Sequence, residues 1–539
     1  MELSLKGLED VKAWKNAGFN VPEFNHSEVA RKTYEMPFWV HFGAGNIFRA
    51  FQANAVQKLL NNGNLDVGLV VAEGFDYEII TKMNKPHDNL SILATLCANG
   101  DIEKTVVGSV MESYVLDSND EESYSQLKRI FASRSLEMAS FTITEKGYSL
   151  TNARGEVLES VAKDWEMGPA KPESYIGKVV SLLYHRFENG RLPIAMVSMD
   201  NCSHNGDKLK EAVVRFAKEW TKSGLCDAEF EEYVTDNDKV SYPWTMIDKI
   251  TPRPDETVRK MLEEAGVEGL DTVVTSKNTY IAPFVNSEEC EYLVIEDDFP
   301  NGRHSLEKAG FYFTDRNTVD LVERMKVCTC LNPLHTALAI FGCLLGYTKI
   351  SDEMKDEQLL KLVETIGYVE GLLVVDDPKI INPKEFIDTV LKVRVPNPFM
   401  PDTPQRIATD TSQKLPIRYG ETIKRYAASK ESDVSELKLI PLVFAGWIRY
   451  LMGIDDEGKK FELSPDPCLD ELVPIVSQIS MQADSVRELE AVLKPIVSDE
   501  RIFGVDLYKV GLSEKVYDYL IELLNGEGAV RRTLKKYCK

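Results

Sequence analysis

An apolar run, Phe38 to Phe42, stops at Gly43 and passes through Ala44-Gly45-Asn46-Ile47-Phe48-Arg49 into residues at helical spacing (Phe48, Phe51, Ala55, Leu59). No other feature of the chain limits its fold as much. A strand that turns through glycines directly into a helix is the opening unit of a parallel α/β sheet. The glycines let the backbone turn sharply and approach a pyrophosphate, and the helix N-terminus presents free N–H groups with a partial positive charge. Alone, a G-x-G is also a plain tight turn, and the third glycine of the usual fingerprint is missing, because position 48 is Phe. The context favours a dinucleotide. A second apolar run, Val67 to Ala72, ends in the acidic stretch 73–78. Asp76 or Glu78 there is suited to accept from the adenosine ribose hydroxyls and to repel a 2′-phosphate, which favours NAD over NADP. The expected cofactor contacts are therefore Gly43, Gly45, Asn46, Ile47, Arg49, Asp76 and Glu78, although the two acids also read as loop solubility.

Further strands are expected at Val106 to Val110, Met138 to Ile143 and Ile194 to Met199. From about Val319 the spacing becomes helical, with helices at 319–347, 355–370, 383–393, 435–452, 470–480, 484–493 and 513–524, some separated by Pro396, Pro398, Pro401 and Pro404. The expected architecture is α/β: a Rossmann-like doubly wound sheet over 1–305, then a mostly α-helical catalytic domain over 306–539. The helices are expected to close over the carboxyl edge of the sheet, with the active site between the domains.

A chain of 539 residues is too long for one core. Its net charge of −23 repels phosphate backbones and anionic membranes, which argues against nucleic acid and membrane partners. An anionic substrate would need a local cluster of Arg or Lys. The start of the chain lacks a signal-peptide pattern, and Leu439 to Met452 is too short to span a bilayer and is interrupted by Arg449. Nine scattered cysteines form no disulfide framework, so a reducing cytoplasm is expected. The chain is expected to be a monomer or a small homo-oligomer.

Three segments carry chemistry. Asp200-Asn201-Cys202-Ser203-His204-Asn205-Gly206 follows a strand, where ligands of open α/β sheets bind, so Asn201 is placed to stabilise a developing alkoxide. Asn201 and Asn205 are equally candidates to cap the helix that starts near Gly206. In Tyr242 to Pro252, Asp248 followed by Lys249 is either an orienting acid or half of a structural ion pair. In Lys326-Val-Cys-Thr-Cys-Leu-Asn332-Pro-Leu-His335, Asn332 and His335 share a helix face, and Lys, Asn and His together suit proton exchange with a carbinol oxygen, although the residues alone read equally as a core histidine and a surface lysine. A metal site from Cys328, Cys330 and His335 is disfavoured, because Cys-x-Cys is not zinc spacing and residues two apart on a helix diverge by about 200°.

Six segments resemble, in order, the polyol-specific long-chain dehydrogenases, the family of mannitol 2-dehydrogenase and fructuronate reductase. They are HFGAGNIFRAFQA (41–53), FTITEKGY (141–148), SMDNCSHNG (198–206), YPWTMIDKITP (242–252), EDDFPNGRHSLEKAGFYFTD (296–315) and KVCTCLNPLH (326–335). The resemblance implies an NAD-dependent oxidoreductase without metal. It makes Lys326 the catalytic base, Asn201 and Asn332 the amides that hold the reacting oxygen, His335 the orienting histidine and Asp248 an acid that tunes the site. In RIATDTSQK (406–414) it places Arg406 and Lys414 on the substrate. It favours reduction of D-fructuronate to D-mannonate, ahead of mannitol or arabinitol oxidation and of tagaturonate reduction. An alternative of another class is a non-catalytic sugar-acid or nucleotide-binding protein on a degenerate scaffold.

The chain departs from the family pattern in one telling place. Five residues, Val327 to Leu331, stand between lysine and asparagine where the family commonly has four. One extra residue turns a regular helix by about 100°, so either Lys326 precedes the helix or a π-bulge absorbs the insertion. Pro333 suits the first account, since proline is tolerated only in a helix's first turn.

Overall fold

The computed structural model describes residues 1–539, which divide into two compact units at Asp320/Leu321. That is later than the expected boundary near 305. Strand Tyr312–Thr314 pairs in parallel with Tyr292–Glu296, and this pairing keeps the intervening chain in the first unit.

The first unit is built on six parallel strands: β1 (Trp39–Phe42), β2 (Leu69–Glu73), β3 (Val110–Val115), β4 (Met138–Phe141), β5 (Ile194–Ser198) and β6 (Val240–Ser241). Their spatial order is β3-β2-β1-β4-β5-β6, so the strand order reverses at β1 and β4 and opens a crevice there. Alternate residues feed opposite faces. Val40, Phe42, Val70 and Ala72 enter one apolar cluster, while Trp39, Leu69 and Val71 enter the other. Burial on both faces explains why these strands read as continuous apolar runs rather than alternating ones.

One expected strand is corrected. Val106 to Val110 is two strands in two sheets: Ile102–Val107 ends at Gly108-Ser109, and β3 starts at Val110. The first belongs to a second, four-stranded sheet with Phe19–Asn20, Ser91–Leu96 and Phe284–Glu288. The amide of Gly108 is held by Gln57 and the hydroxyl of Ser109 by the Ala53 carbonyl, so the chain changes sheets against the first helix.

The second unit is helical. Helices lie at Glu357–Glu364, Pro383–Thr389, Leu439–Tyr450, Leu469–Val476, Val486–Val497 and Ser513–Leu523, overlapping the expected regions though Val486–Val497 runs four residues past its expected end, and the 404–428 region and Ala529–Tyr537 add more. Arg449 is fully buried, with its guanidinium donating to the carbonyls of Ile454 and Asp455. The helical segment Arg316–Leu344, which has one joint at Leu331, is long and apolar enough to cross a membrane, but 83% of its most apolar stretch is buried inside the protein, as in a core helix.

Candidate active site

The glycine turn sits at the carboxyl end of β1. Gly43 has φ +110°, open to glycine alone, and a Cβ there would lie 2.4 Å from the Thr142 carbonyl oxygen. A Cβ on Gly45 would meet nothing within 4 Å. The two glycines therefore differ: the first lets β1 and β4 approach, and the second faces open space. Where a third glycine would bring helix and strand together, Phe48 stacks on His41 of β1, with centroids 4.4 Å apart and planes 7° apart. The helix widens into a π turn over Phe48–Gln52. His41 bridges Ser140 and Thr142, and burial pushes its pKa down to about 3. Asn46 and Ile47 open the helix, and Arg49 is buried, donating to Asn46 and to the Ala282 carbonyl.

A cavity of about 580 Å³, within the range of small-molecule sites, lies at this edge. Gly43, Gly45, Glu73, Asp76, Thr142 and Thr144 are among its lining residues. Open space at Gly45, beside a helix N-terminus, fits a dinucleotide diphosphate. Glu73, which the sequence reading passed over, is the acid at the tip of β2. It accepts the amides of Ala44, Phe75 and Asp76 at 2.8, 2.8 and 3.1 Å and so braces the glycine turn. Asp76 is buried against the cavity and accepts the Thr275 hydroxyl at 2.6 Å. Glu78 lies outside the lining, where it accepts the Ser276 amide at 2.8 Å and pairs with Lys82. Both acids thus hold the hairpin Val273–Val274/Tyr280–Ile281, whose Thr279 also lines the cavity.

Asp200, also unremarked before, is buried beyond β5. Its carboxylate accepts the amides of Ile143 and Thr144 and the Tyr148 hydroxyl, fixing Thr144 at φ 63° in the cavity wall. Asn201 follows on an exposed turn. The capping expectation fails for Asn205. His204 stands at the N-cap of helix α1 (Asn205–Lys222), and its side chain makes no capping hydrogen bond. The fully buried Asn205 amide instead donates to the Asp200 and Thr245 carbonyls and accepts the Thr245 amide, tying the turn to strand Thr245–Asp248. Asp248 ends that strand and is buried, whereas Lys249 forms its ion pair with Glu291 at 3.0 Å.

Helix α2 (Arg316–Met325) starts in the first unit, passes the division at Asp320/Leu321 and runs into a π turn over Lys326–Cys330 in the second. Helix α3 (Asn332–Leu344) follows, with Pro333 in its first turn. Leu331, at φ −129°, is the single non-helical joint. Of the two accounts of the extra residue, the π turn holds; Lys326 is inside the helical run and buried. Asn332 and His335 lie on α3. Burial, reinforced by the charges of Arg418, Arg394, Arg406 and Lys414, pushes the His335 pKa down to about 3. The ring is therefore neutral, with four cationic side chains near enough to act on it. Arg418 donates to the Thr336 hydroxyl and the Asn332 carbonyl, Arg406 pairs with Asp402, and Lys414 donates to the Ile407 and Thr409 carbonyls. Asp402 also lies 3.6 Å from His335 Nε2. Arg394 and Arg418 were not singled out from the sequence. Cys330 directs its thiol to the Pro383 carbonyl, and no His, Cys, Asp and Glu side chains converge in a metal-binding group.

The chain as a whole is similar to known proteins. The chain is 52% identical over 538 residues to a D-mannonate oxidoreductase of Thermotoga maritima, covering 99% of each. Its fold is similar to D-sorbitol dehydrogenase in substrate-free form (TM-score 0.78, 24% identity, 97% and 98% covered). It is also similar to Pseudomonas fluorescens mannitol 2-dehydrogenase in a ternary complex with NAD and D-mannitol (TM-score 0.66, 25% identity, 99% of each covered). Residues 38–308 match the mannitol dehydrogenase Rossmann domain and 318–520 the mannitol dehydrogenase C-terminal domain. With both domain models matched in order over most of its length, the chain belongs to the mannitol dehydrogenase family of oxidoreductases.

Proposed function

We propose that the protein is a D-mannonate oxidoreductase, reducing D-fructuronate to D-mannonate with NADH and running the reverse with NAD. The carrying observation is the cluster of Arg394, Arg406, Lys414 and Arg418 around a neutral His335, in a chain of net charge −23. A sugar carboxylate is a ligand that this positive charge can hold by charge-assisted hydrogen bonds. The 52% identity to a D-mannonate oxidoreductase points the same way.

When bound, the nicotinamide supplies or accepts the hydride at the carbinol carbon. Lys326 gives a proton to the carbonyl oxygen during reduction and takes it back during oxidation. The amides of Asn201 and Asn332 donate to that oxygen as it gains charge. Neutral His335 orients a neighbouring hydroxyl without adding charge, Asp248 tunes the site, and the cationic cluster holds the carboxylate. The amides at Gly45, Asn46 and Ile47 meet the diphosphate, with Arg49 fixing the turn. Asp76 and Glu78 act on the ribose end by holding the 273–281 hairpin.

The test is the initial rate of NADH consumption with D-fructuronate, D-tagaturonate, D-fructose and D-xylulose. The highest kcat/KM is expected for D-fructuronate. A preference for either neutral ketose would overturn the assignment.

A further inference from the structure

Two segments with catalytic candidates, 200–206 and 242–252, meet through side chains that the proposed chemistry leaves unused. The His204 imidazole stacks on the Trp244 indole with centroids 4.1 Å apart and planes 19° apart. The Arg316 guanidinium lies over the same indole at 4.9 Å. Around this stack the polar groups are matched. The indole N–H donates to Asp207 at 3.0 Å, and Arg316 Nε donates to both Glu296 oxygens at 3.0 and 2.9 Å. The Trp244 amide donates to the same Glu296 carboxylate at 3.0 Å.

The stack is connected at both ends. His204 lies three residues after Asn201, in the left-handed region at φ 52°, which is disfavoured for a residue with a Cβ and is relieved here by no side-chain cap bond. His204 Nε2 lies 3.4 Å from Asp320 Oδ1. Arg316 and Asp320 are one turn apart on α2, which continues unbroken into the π turn that begins at Lys326.

We propose that His204 and Trp244 are positioning residues that tie the Asn201 turn to the first turns of the helix leading into Lys326. The turn that carries Asn201 and the start of the helix that runs into Lys326, two of the three groups assigned to the reacting oxygen, then meet at one aromatic anchor. Half-exposed ion pairs contribute little, so the stack dominates and the Asp320 contact is secondary. This inference rests on the roles proposed above for Asn201 and Lys326, although the contacts themselves do not.

The test uses the full chain and the variants His204→Ala, His204→Phe and Asp320→Asn. Displacing a catalytic group by a fraction of an ångström to an ångström costs on the order of 10- to 100-fold in rate. His204→Ala is expected to lower kcat by that factor with NADH affinity and Tm unchanged, and His204→Phe, which keeps the stack, to recover to within about threefold of the parent. Amide hydrogen exchange should rise in His204→Ala at both 200–206 and 316–326, and Asp320→Asn should change it little. Normal kcat in His204→Ala, no rescue by His204→Phe, or faster exchange confined to 200–206 would each overturn the proposal. If the parent protein turns over none of the keto sugars, the catalytic reading fails, and the exchange pattern still decides the tether.

Discussion

The carbonyl oxygen of Lys326 accepts the amide of Leu331 at 3.1 Å, a bond spanning five residues where an α-helix spans four. The wide turn absorbs the residue that separates this chain from the common family spacing, and Asn332 restarts a regular helix. If Lys326 is the proton-transfer group, Lys326→Ala should lower kcat by about 10²- to 10⁴-fold. NADH affinity, measured by fluorescence titration, should stay at the parental value. Turnover within a few-fold of the parent would remove Lys326 from that role.

The cationic cluster predicts selective loss. A charge-assisted hydrogen bond contributes about 1.5–3 kcal/mol, so Arg406→Ala or Lys414→Met should raise KM for D-fructuronate about 10- to 100-fold. Weak activity on D-fructose, which has no carboxylate, should change much less. Equal losses on both substrates would show that these residues do not read the carboxylate.

The same cluster sets a pH dependence. Burial and the neighbouring Arg418 lower the Lys414 pKa to about 8. Lys414 is thus charged below that value and neutral above it, so affinity for the keto acid should be full near pH 7 and decline as pH rises through about 8. His335, held near 3, should add no inflection between pH 5 and 9. The profile of kcat/KM, compared with that of Lys414→Met, checks the assignment; an unchanged alkaline limb in the variant would exclude Lys414 as its source.

A stability prediction comes from Glu353, which is fully buried against α3 with neither carboxylate oxygen hydrogen-bonded. Burial, then Asp356, raises its pKa to about 9. The folded value lies above the unfolded one, so its contribution is fully present below pH ~4.5 and is lost as pH rises through about 9. Glu353→Gln should flatten this slope and stabilise the protein at pH 9 by about 1–3 kcal/mol, read as Tm. Identical pH dependence in parent and variant would contradict the buried acid.

The strands that carry the site were legible because burial on both faces leaves unbroken apolar runs such as Trp39–Phe42 and Ile194–Ser198. The same property hid the change of sheet at Gly108, where one apolar run serves two sheets. Lys326, Asn332 and His335 lie within one short segment, so the sequence offered them together as candidates. Arg394 and Arg418 fall on separate π turns, and nothing in their spacing shows that they converge on one imidazole. Net charge did announce that such a cluster would be required. Asn205 misled because a capping residue and a buried amide clamp look alike in sequence; only strand Thr245–Asp248, forty positions on, distinguishes them. Glu73 went unnoticed for a related reason, since an acid that braces backbone amides reads as one more charge in an acidic loop.

Gly45 offers a practical handle. Its φ is not in the left-handed region, and a methyl there would touch no protein atom while projecting from the turn at the cavity edge. If Gly45 meets the diphosphate as proposed, Gly45→Ala is expected to act as a steric plug that the fold tolerates and the cofactor does not. It would give a cofactor-blind twin of the enzyme, identical in sheet, helices and cationic cluster, in which sugar-acid binding can be weighed apart from redox chemistry.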